Sequence, residues 1–264
     1  MGDMEALSPA SLLTAAAQHD ANKCEGLLVE GCDPNVRDEA TGDTPLHKVV
    51  ASGIAHDPIH ENARVCTIVC LKQRGAFISA LNKRNQTPLH VACSRGLDLS
   101  TACLYDGISE ASRYEALYNK DDEGDTPLLL ATRWNHHLLT QWLLKQGAPV
   151  AFTNNQGNSA LHYVAKHGHY QLAVEMVSLS PSSSNAVNNA GLTPASMAAQ
   201  EAAKKARSPP SAMNFYMIYF RLAYPTAKVA VTACDTLSWI NQRGACLLIP
   251  VIALSTLEQL RNVS

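Results

Sequence analysis

The sequence predicts an all-α solenoid: helix–turn–helix units joined by β-turn or hairpin loops, closed by a mainly helical C-terminal capping region. Three observations predict it. A tetrapeptide recurs as Thr44-Pro45-Leu46-His47, Thr87-Pro88-Leu89-His90, Thr126-Pro127-Leu128-Leu129, Ser159-Ala160-Leu161-His162 and Thr193-Pro194-Ala195-Ser196, at offsets of 43, 39, 33 and 34 residues. Two positions before each of these Thr or Ser residues stands a Gly or Asn (Gly42, Asn85, Gly124, Gly157, Gly191), the residue types that a backbone position of positive φ favours. With 264 residues, 46% hydrophobic and 17% charged, the chain carries enough apolar side chains to bury the continuous core that stacked units need.

Each unit follows from its residues. Thr or Ser caps a helix by accepting from its first free N–H groups, and Pro suits the first helical position because its missing N–H is not needed there. The next Leu points into the core. After about two turns come Gly53, Gly96, Asn135 and Gly168, residues that tolerate the left-handed conformation ending a helix. A second apolar helix follows, as in His137–Gln146 or Tyr170–Ser178, and Gly75 and Gly147 end it in the second and fourth units.

An earlier, degenerate unit occupies Ala10–Asn35, where Leu12 stands 34 residues before Leu46 and no Thr-Pro-Leu-His head is present. That suits an N-terminal cap whose outer face meets water. The long offsets imply about ten extra residues around 54–62 and about six around 104–112, both expected as loops between helices. The array is thus five or six units over 1–202, with a hinge at 203–212 and a C-terminal cap or small extra module at 213–264. Within that last region Met213–Tyr224 is dense in aromatics and Met, and Val251–Leu260 reads as a further helix.

A period near 33 headed by Thr-Pro-Leu-His resembles the ankyrin-repeat family, over about residues 10–202. The resemblance implies that His47, His90 and His162 hydrogen-bond to backbone between neighbouring units, and that a concave face of turn tips and first helices binds a partner protein. The family's usual contact positions fall on Lys83, Arg84, Gln86, Ser94 and Arg95 in the third unit, and on Asp122, Glu123, Asp125, Arg133 and Trp134 in the fourth. In the fifth they fall on Asn155, Gln156, Asn158, Lys166 and His167. Trp134 is the sharpest of these, since an exposed Trp beside Arg is what an interaction hot spot looks like. The surface also changes from basic (Lys83, Arg84, Arg95) to acidic (Asp121, Asp122, Glu123, Asp125), which either orients a partner or pairs within the chain.

Several function classes are not expected. A net charge of −2 gives no global attraction to nucleic acid or anionic membrane. The apolar run Ala245–Leu254 is broken by Pro250 and falls short of a membrane span. Eight scattered cysteines without CxxC spacing, and an acidic N-terminus, suit a monomer in an intracellular, cytoplasmic setting, or a host cytosol if the protein is a secreted effector. No phosphate-binding loop or nucleophile elbow occurs, and no His follows His169, so no catalytic residue, cofactor or metal is expected. His56 and His60 are spaced four apart, but Pro58 between them argues against one helix face presenting both to a metal. Besides the adaptor reading, two alternatives stand: a bacterial effector binding a host protein, and a catalytic or ligand-binding C-terminal module.

Overall fold

In the computed structural model, residues 9–55, 57–205, 214, 215, 217–219, 221 and 222 are described, and every structural statement concerns those. His56 falls outside them, as do most of Met213–Tyr224 and all of Val251–Leu260.

Six units stack in a row. The first helices are α1 (Pro9–Ala17), α3 (Pro45–Ala51), α5 (Pro88–Arg95), α8 (Pro127–Arg133), α10 (Ala160–His167) and α12 (Pro194–Lys204), each packed on the next. The second helices are α2 (Ala21–Val29), α4 (Pro58–Gln73), α6 (Asp98–Tyr105), α9 (His137–Lys145) and α11 (Tyr170–Leu179). One more helix, α7 (Glu110–Tyr118), follows α6, and a 3-10 turn at Pro181–Asn185 follows α11. The two rows bury a continuous core running from Leu12 through Leu46, Leu89, Leu128 and Leu161 to Ala198.

The unit heads behave as their chemistry requires. The Thr44 backbone N–H donates to His47 Nδ1 (3.2 Å), as do those of Thr87 to His90 (3.2 Å) and Ser159 to His162 (3.1 Å). An N–H can only donate, so Nδ1 is the acceptor and the ring proton sits on Nε2. Each Nε2–H then donates to a carbonyl of the next unit: His47 to Gln86 (2.8 Å), His90 to Asn119 (3.0 Å) and His162 to Leu192 (3.1 Å). Burial pushes all three imidazoles below their usual pKa, His90 to about 4.

All five helix-stop positions take positive φ: Gly53, Gly96, Asn135, Gly168 and, in the degenerate first unit, His19 (φ 58°). His19 fills the site of a Gly and reaches Val49 O with Nε2 (3.0 Å).

Both insertions carry helix where loops are expected: 58–62 belong to α4 and 110–112 to α7, each after a short non-helical stretch. The ten extra residues of the second unit extend α4 to 16 residues, because Asp57 caps it through the Ile59 N–H and Pro58 occupies the first helical position. Pro58 therefore starts the helix, whereas the sequence reading had it interrupting one. The extra residues of the third unit extend past 112 into α7, which starts at the cap Ser109, accepting from Ser112 N–H.

The α4 extension braces two neighbours. Arg64, fully buried, donates to Glu61 Oε2 (2.8 Å) and to the carbonyls of Ser52 (3.1 Å) and Ile54 (2.6 Å) beyond the end of α3. Glu61 Oε1 accepts from Ser100 N–H (2.8 Å) and Oγ (2.9 Å) at the start of α6, a helix whose own cap residue, Leu97, offers no acceptor. One ion pair thus closes the end of one helix and the start of another.

At the far end, Phe215, Ile218 and Leu222 are helical and buried, at a spacing that puts them on one helix face. Phe215 lies on Gly168, where a Cβ would come within 2.7 Å of its ring, as His136 of the fourth unit lies on Gly96 of the third. Phe215 thus meets the fifth unit at the position where His136 meets the third.

Two stability predictions follow from this architecture. The unfolded histidines titrate near 6.5 and the folded ones lower, so the unfolded state binds more protons between those values. Stability is full above pH 6.5 and declines as pH falls from there towards 4; His90 alone removes up to roughly 3 kcal/mol. Urea unfolding at a series of pH values reads this, and a His90→Leu protein is expected to show a shallower decline. Glu61→Ala strands a buried guanidinium and is expected to lower the unfolding free energy by about 3 kcal/mol. A loss under about 1 kcal/mol by the same measurement would mean that the brace is dispensable.

Candidate protein-binding surface

The turn tips are built by one side chain each. Asn82 Oδ1 accepts from the N–H groups of Arg84 (2.9 Å) and Gln86 (3.0 Å). Asp121 does the same for Glu123 (3.0 Å) and Asp125 (2.9 Å), Asn154 for Gln156 (3.1 Å) and Asn158 (3.0 Å). Such side chains mimic a backbone turn and fix its shape. Neighbouring tips are tied by backbone hydrogen bonds: Lys83 N–H to Thr41 O (3.0 Å), Asp122 to Arg84 (3.1 Å), Asn155 to Glu123 (2.9 Å) and Asn189 to Gln156 (2.9 Å). The tips form a rigid edge, not a row of free fingers.

The sequence-predicted contact residues divide over two ends of the first helices. Lys83, Arg84, Gln86, Asp122, Glu123, Asn155, Gln156 and Asn158 lie at the tips, before the helices start. Ser94, Arg95, Trp134, Lys166 and His167 lie at the opposite ends, where α5, α8 and α10 stop. Arg133 spans the two, since its side chain turns back from the last residue of α8 to Asp125 Oδ2 (2.7 Å) and Glu123 Oε2 (2.5 Å) before the helix begins.

Several of these side chains are already engaged within the chain. Asp125 is fully buried and lies beneath the surface, accepting from Asn154 Nδ2 (2.9 Å) as well as from Arg133. Burial pushes its carboxyl above the ordinary range, against the opposing pull of Asn154 and Arg133. Asn154 also donates to the Tyr163 hydroxyl (3.0 Å). Gln86 donates to Asp121 Oδ2 (3.0 Å), Asn155 to Asp122 O (2.8 Å) and Asn158 to Gln156 Oε1 (3.2 Å), while Lys83 reaches Glu39 O (2.6 Å). Lys83 and Arg95 are thus engaged by backbone carbonyls, and Asp121, Glu123 and Asp125 by Gln86, Arg133 and Asn154, while Arg84, Asp122 and Glu123 keep their exposure.

The helix ends have their own closure. Arg95 donates from NH1 to Val50 O (2.8 Å) and Ser52 O (3.0 Å), covering carbonyls that α3 leaves free. Ser94 bonds within its own helix to Val91 O (2.8 Å), and its carbonyl accepts from His136 Nε2 (3.1 Å). His167 Nε2 donates to Arg133 O (3.1 Å), and burial lowers its pKa. Cationic and imidazole donors suit helix C-termini because the exposed carbonyls carry partial negative charge.

Trp134 differs from these. It is the C-cap of α8, is 58% exposed, and stands next to the carbonyl that His167 holds. Four residues on, Leu138 in the first turn of α9 is 69% exposed. Lys166 is exposed and has no hydrogen bond or ion pair among the described residues. Sequence reasoning missed Lys205, an exposed residue whose ammonium lies 4.3 Å from the Phe215 ring and acts through space on His167. The signal was the Lys204-Lys205 pair, which the sequence placed in a hinge and the structure places at the end of α12.

No group of three or more candidate metal ligands occurs among the described residues, and no helix there is long and apolar enough to cross a membrane. His60 pairs with the Asp57 carboxylate.

Comparison with known proteins agrees with the repeat geometry. The family model described as ankyrin repeats matches three times, over residues 12–99, 59–154 and 99–179. Human Rabankyrin-5 is 32% identical over 189 residues, covering 66% of this chain and 15% of that protein. Mouse NF-kappa-B inhibitor delta is 34% identical over 89 residues, covering 34% of this chain and 26% of that protein. Protein arginine N-methyltransferase 2 of Emericella nidulans is 31% identical over 141 residues, covering 44% of this chain and 32% of that protein. The chain spans a third or less of the length of each.

The pairing of Arg133 with a buried carboxylate generates a prediction. Arg133→Ala is expected to cost about 2–3 kcal/mol of stability, because Asp125 is left buried without its guanidinium. Trp134→Ala is expected to change stability by less than about 0.5 kcal/mol, as an exposed substitution does. Parallel urea titrations separate the two; equal effects would show that Arg133 is no more structural than its neighbour.

Proposed function

The chain belongs to the ankyrin-repeat family, and from that premise we propose that it is a non-catalytic adaptor or scaffold that binds a partner protein through its turn-tip and first-helix surface. Ankyrin repeats generally mediate protein–protein interactions, and both Rabankyrin-5 and NF-kappa-B inhibitor delta are similar over parts of this chain. The observation that carries the reading is Trp134: a large aromatic, 58% exposed, on a framework most of whose polar side chains are tied down. A rigid aromatic anchor ringed by polar groups concentrates binding energy. An inhibitor, which masks its partner instead of bridging two, would use the same surface. The arginine N-methyltransferase match covers 32% of that protein, so no catalytic role is carried over from it. Among the described residues the thiols of Cys24, Cys32, Cys66, Cys70, Cys93 and Cys103 are unpaired, which supports a reducing intracellular compartment.

The test is capture of partners from cell extract by the full chain, followed by mass spectrometry. Trp134→Ala is the variant of choice, with Arg133 left intact because it neutralises Asp125. The wild-type protein is expected to retain a specific partner that Trp134→Ala loses by at least about tenfold, about 1.4 kcal/mol. A partner retained equally by both proteins would move the binding site away from the α8 end.

A further inference from the structure

The chemistry around Trp134 narrows the kind of partner. His167 lies against the Arg133 carbonyl, one residue from Trp134, and feels both Lys166 and Lys205 through space. These two ammonium groups come from the ends of α10 and α12, so adjacent units bring two cations around His167, which holds the carbonyl next to Trp134, with the Lys205 ammonium over the Phe215 ring (4.3 Å). Among the described residues, the carboxylate that acts on His167, Glu201, pairs with Lys204 (2.5 Å), and Glu123 and Asp125 share Arg133. The result is a local excess of positive charge on a protein whose net charge is −2. Beside it stand two exposed apolar side chains, Trp134 and Leu138.

We propose that the surface formed by Trp134, Leu138, Lys166, His167 and Lys205 docks an acidic segment of a partner protein, one in which Asp or Glu residues flank an apolar side chain. This rests on the reading of the surface as a protein-binding one. The apolar residue packs on the indole, which supplies most of the binding energy, and the flanking carboxylates meet Lys166 and Lys205, which fix orientation and speed association. A basic or neutral segment of the same shape leaves both cations facing no opposite charge. Because Lys166 and Lys205 are exposed at the rim, their contribution is screened by salt.

The experiment measures fluorescence anisotropy of two short labelled peptides titrated with the full chain. One peptide carries Asp and Glu around a central Leu-Phe pair; the other carries Lys at each acidic position. The acidic peptide is expected to bind, with a Kd that rises with salt, and the basic one to bind at least about tenfold more weakly. Lys166→Glu, which breaks no hydrogen bond or ion pair among the described residues, and the double variant Lys166→Glu/Lys205→Glu are expected to weaken the acidic peptide progressively, while Lys166→Arg retains it. Binding of both peptides alike, binding of neither, or an acidic-peptide Kd that ignores Lys166→Glu overturns the inference. If the captured partner is lost by Trp134→Ala yet unaffected by Lys166→Glu, the protein-binding reading stands and the acidic-segment inference falls.

Discussion

The structure depends on a buried imidazole that faces two ways. In His47, His90 and His162 one ring nitrogen closes the start of its own helix and the other holds a carbonyl of the next unit. Capping a helix and joining two units are thereby one act, performed by a side chain that must be neutral to do both. That couples local to long-range order in a fold whose contacts are otherwise between nearest neighbours. Breaking either bond leaves a buried polar group unmet, at a cost greater than the net worth of the bond itself.

Two of the five units with a recognisable head lack the imidazole, and each absence has a different consequence. In the fourth unit Leu129 replaces the imidazole, and the junction to the fifth unit is held by a polar network instead: Asp125 with Arg133 and Asn154, and Asn154 with Tyr163. Side chains that read as partner contacts by register are recruited into that replacement. In the sixth unit Ser196 stands in the same place, accepting from Thr193 N–H (2.9 Å) and donating to Thr193 O (2.8 Å). Its hydroxyl closes on its own unit and presents nothing forward. Thr193 and Ser196 are correspondingly half-exposed, where their counterparts Thr44 and His47 are buried.

The backbone was largely legible in the sequence because φ leaves a mark on residue choice. Gly and Asn stand at every turn tip and at four of the five helix stops, and all take positive φ. The fifth stop, His19, was not legible, since His is tolerated in that conformation but does not announce it. The insertions could be counted from the offsets but not shaped, because an offset records residues and not hydrogen bonds. Asp57-Pro58 and Ser109 are each ordinary helix-start signals, outweighed in the sequence by the expectation that extra residues between helices form loops. At the surface, the exposure of Trp134 followed from register alone. What register does not encode is pairing between units: that Arg133 turns back to a buried Asp125, that Arg95 covers the carbonyls of α3, or that Lys205 belongs to the neighbourhood of His167.

That distinction bears on how such a surface binds anything. A residue that already serves its own fold gains little by contacting a partner, since each new bond replaces an old one. Most predicted contact positions here are of that kind, and their work is to hold the tips and helix ends in fixed places. Their commitment is what makes the few uncommitted groups effective. Trp134, Leu138 and Lys166 project from a framework with little freedom left to lose, so a partner meeting them incurs less ordering entropy than it would on a mobile loop. On the proposed reading the binding surface is small because the rest of the edge is spent on rigidity, and it is selective for the same reason.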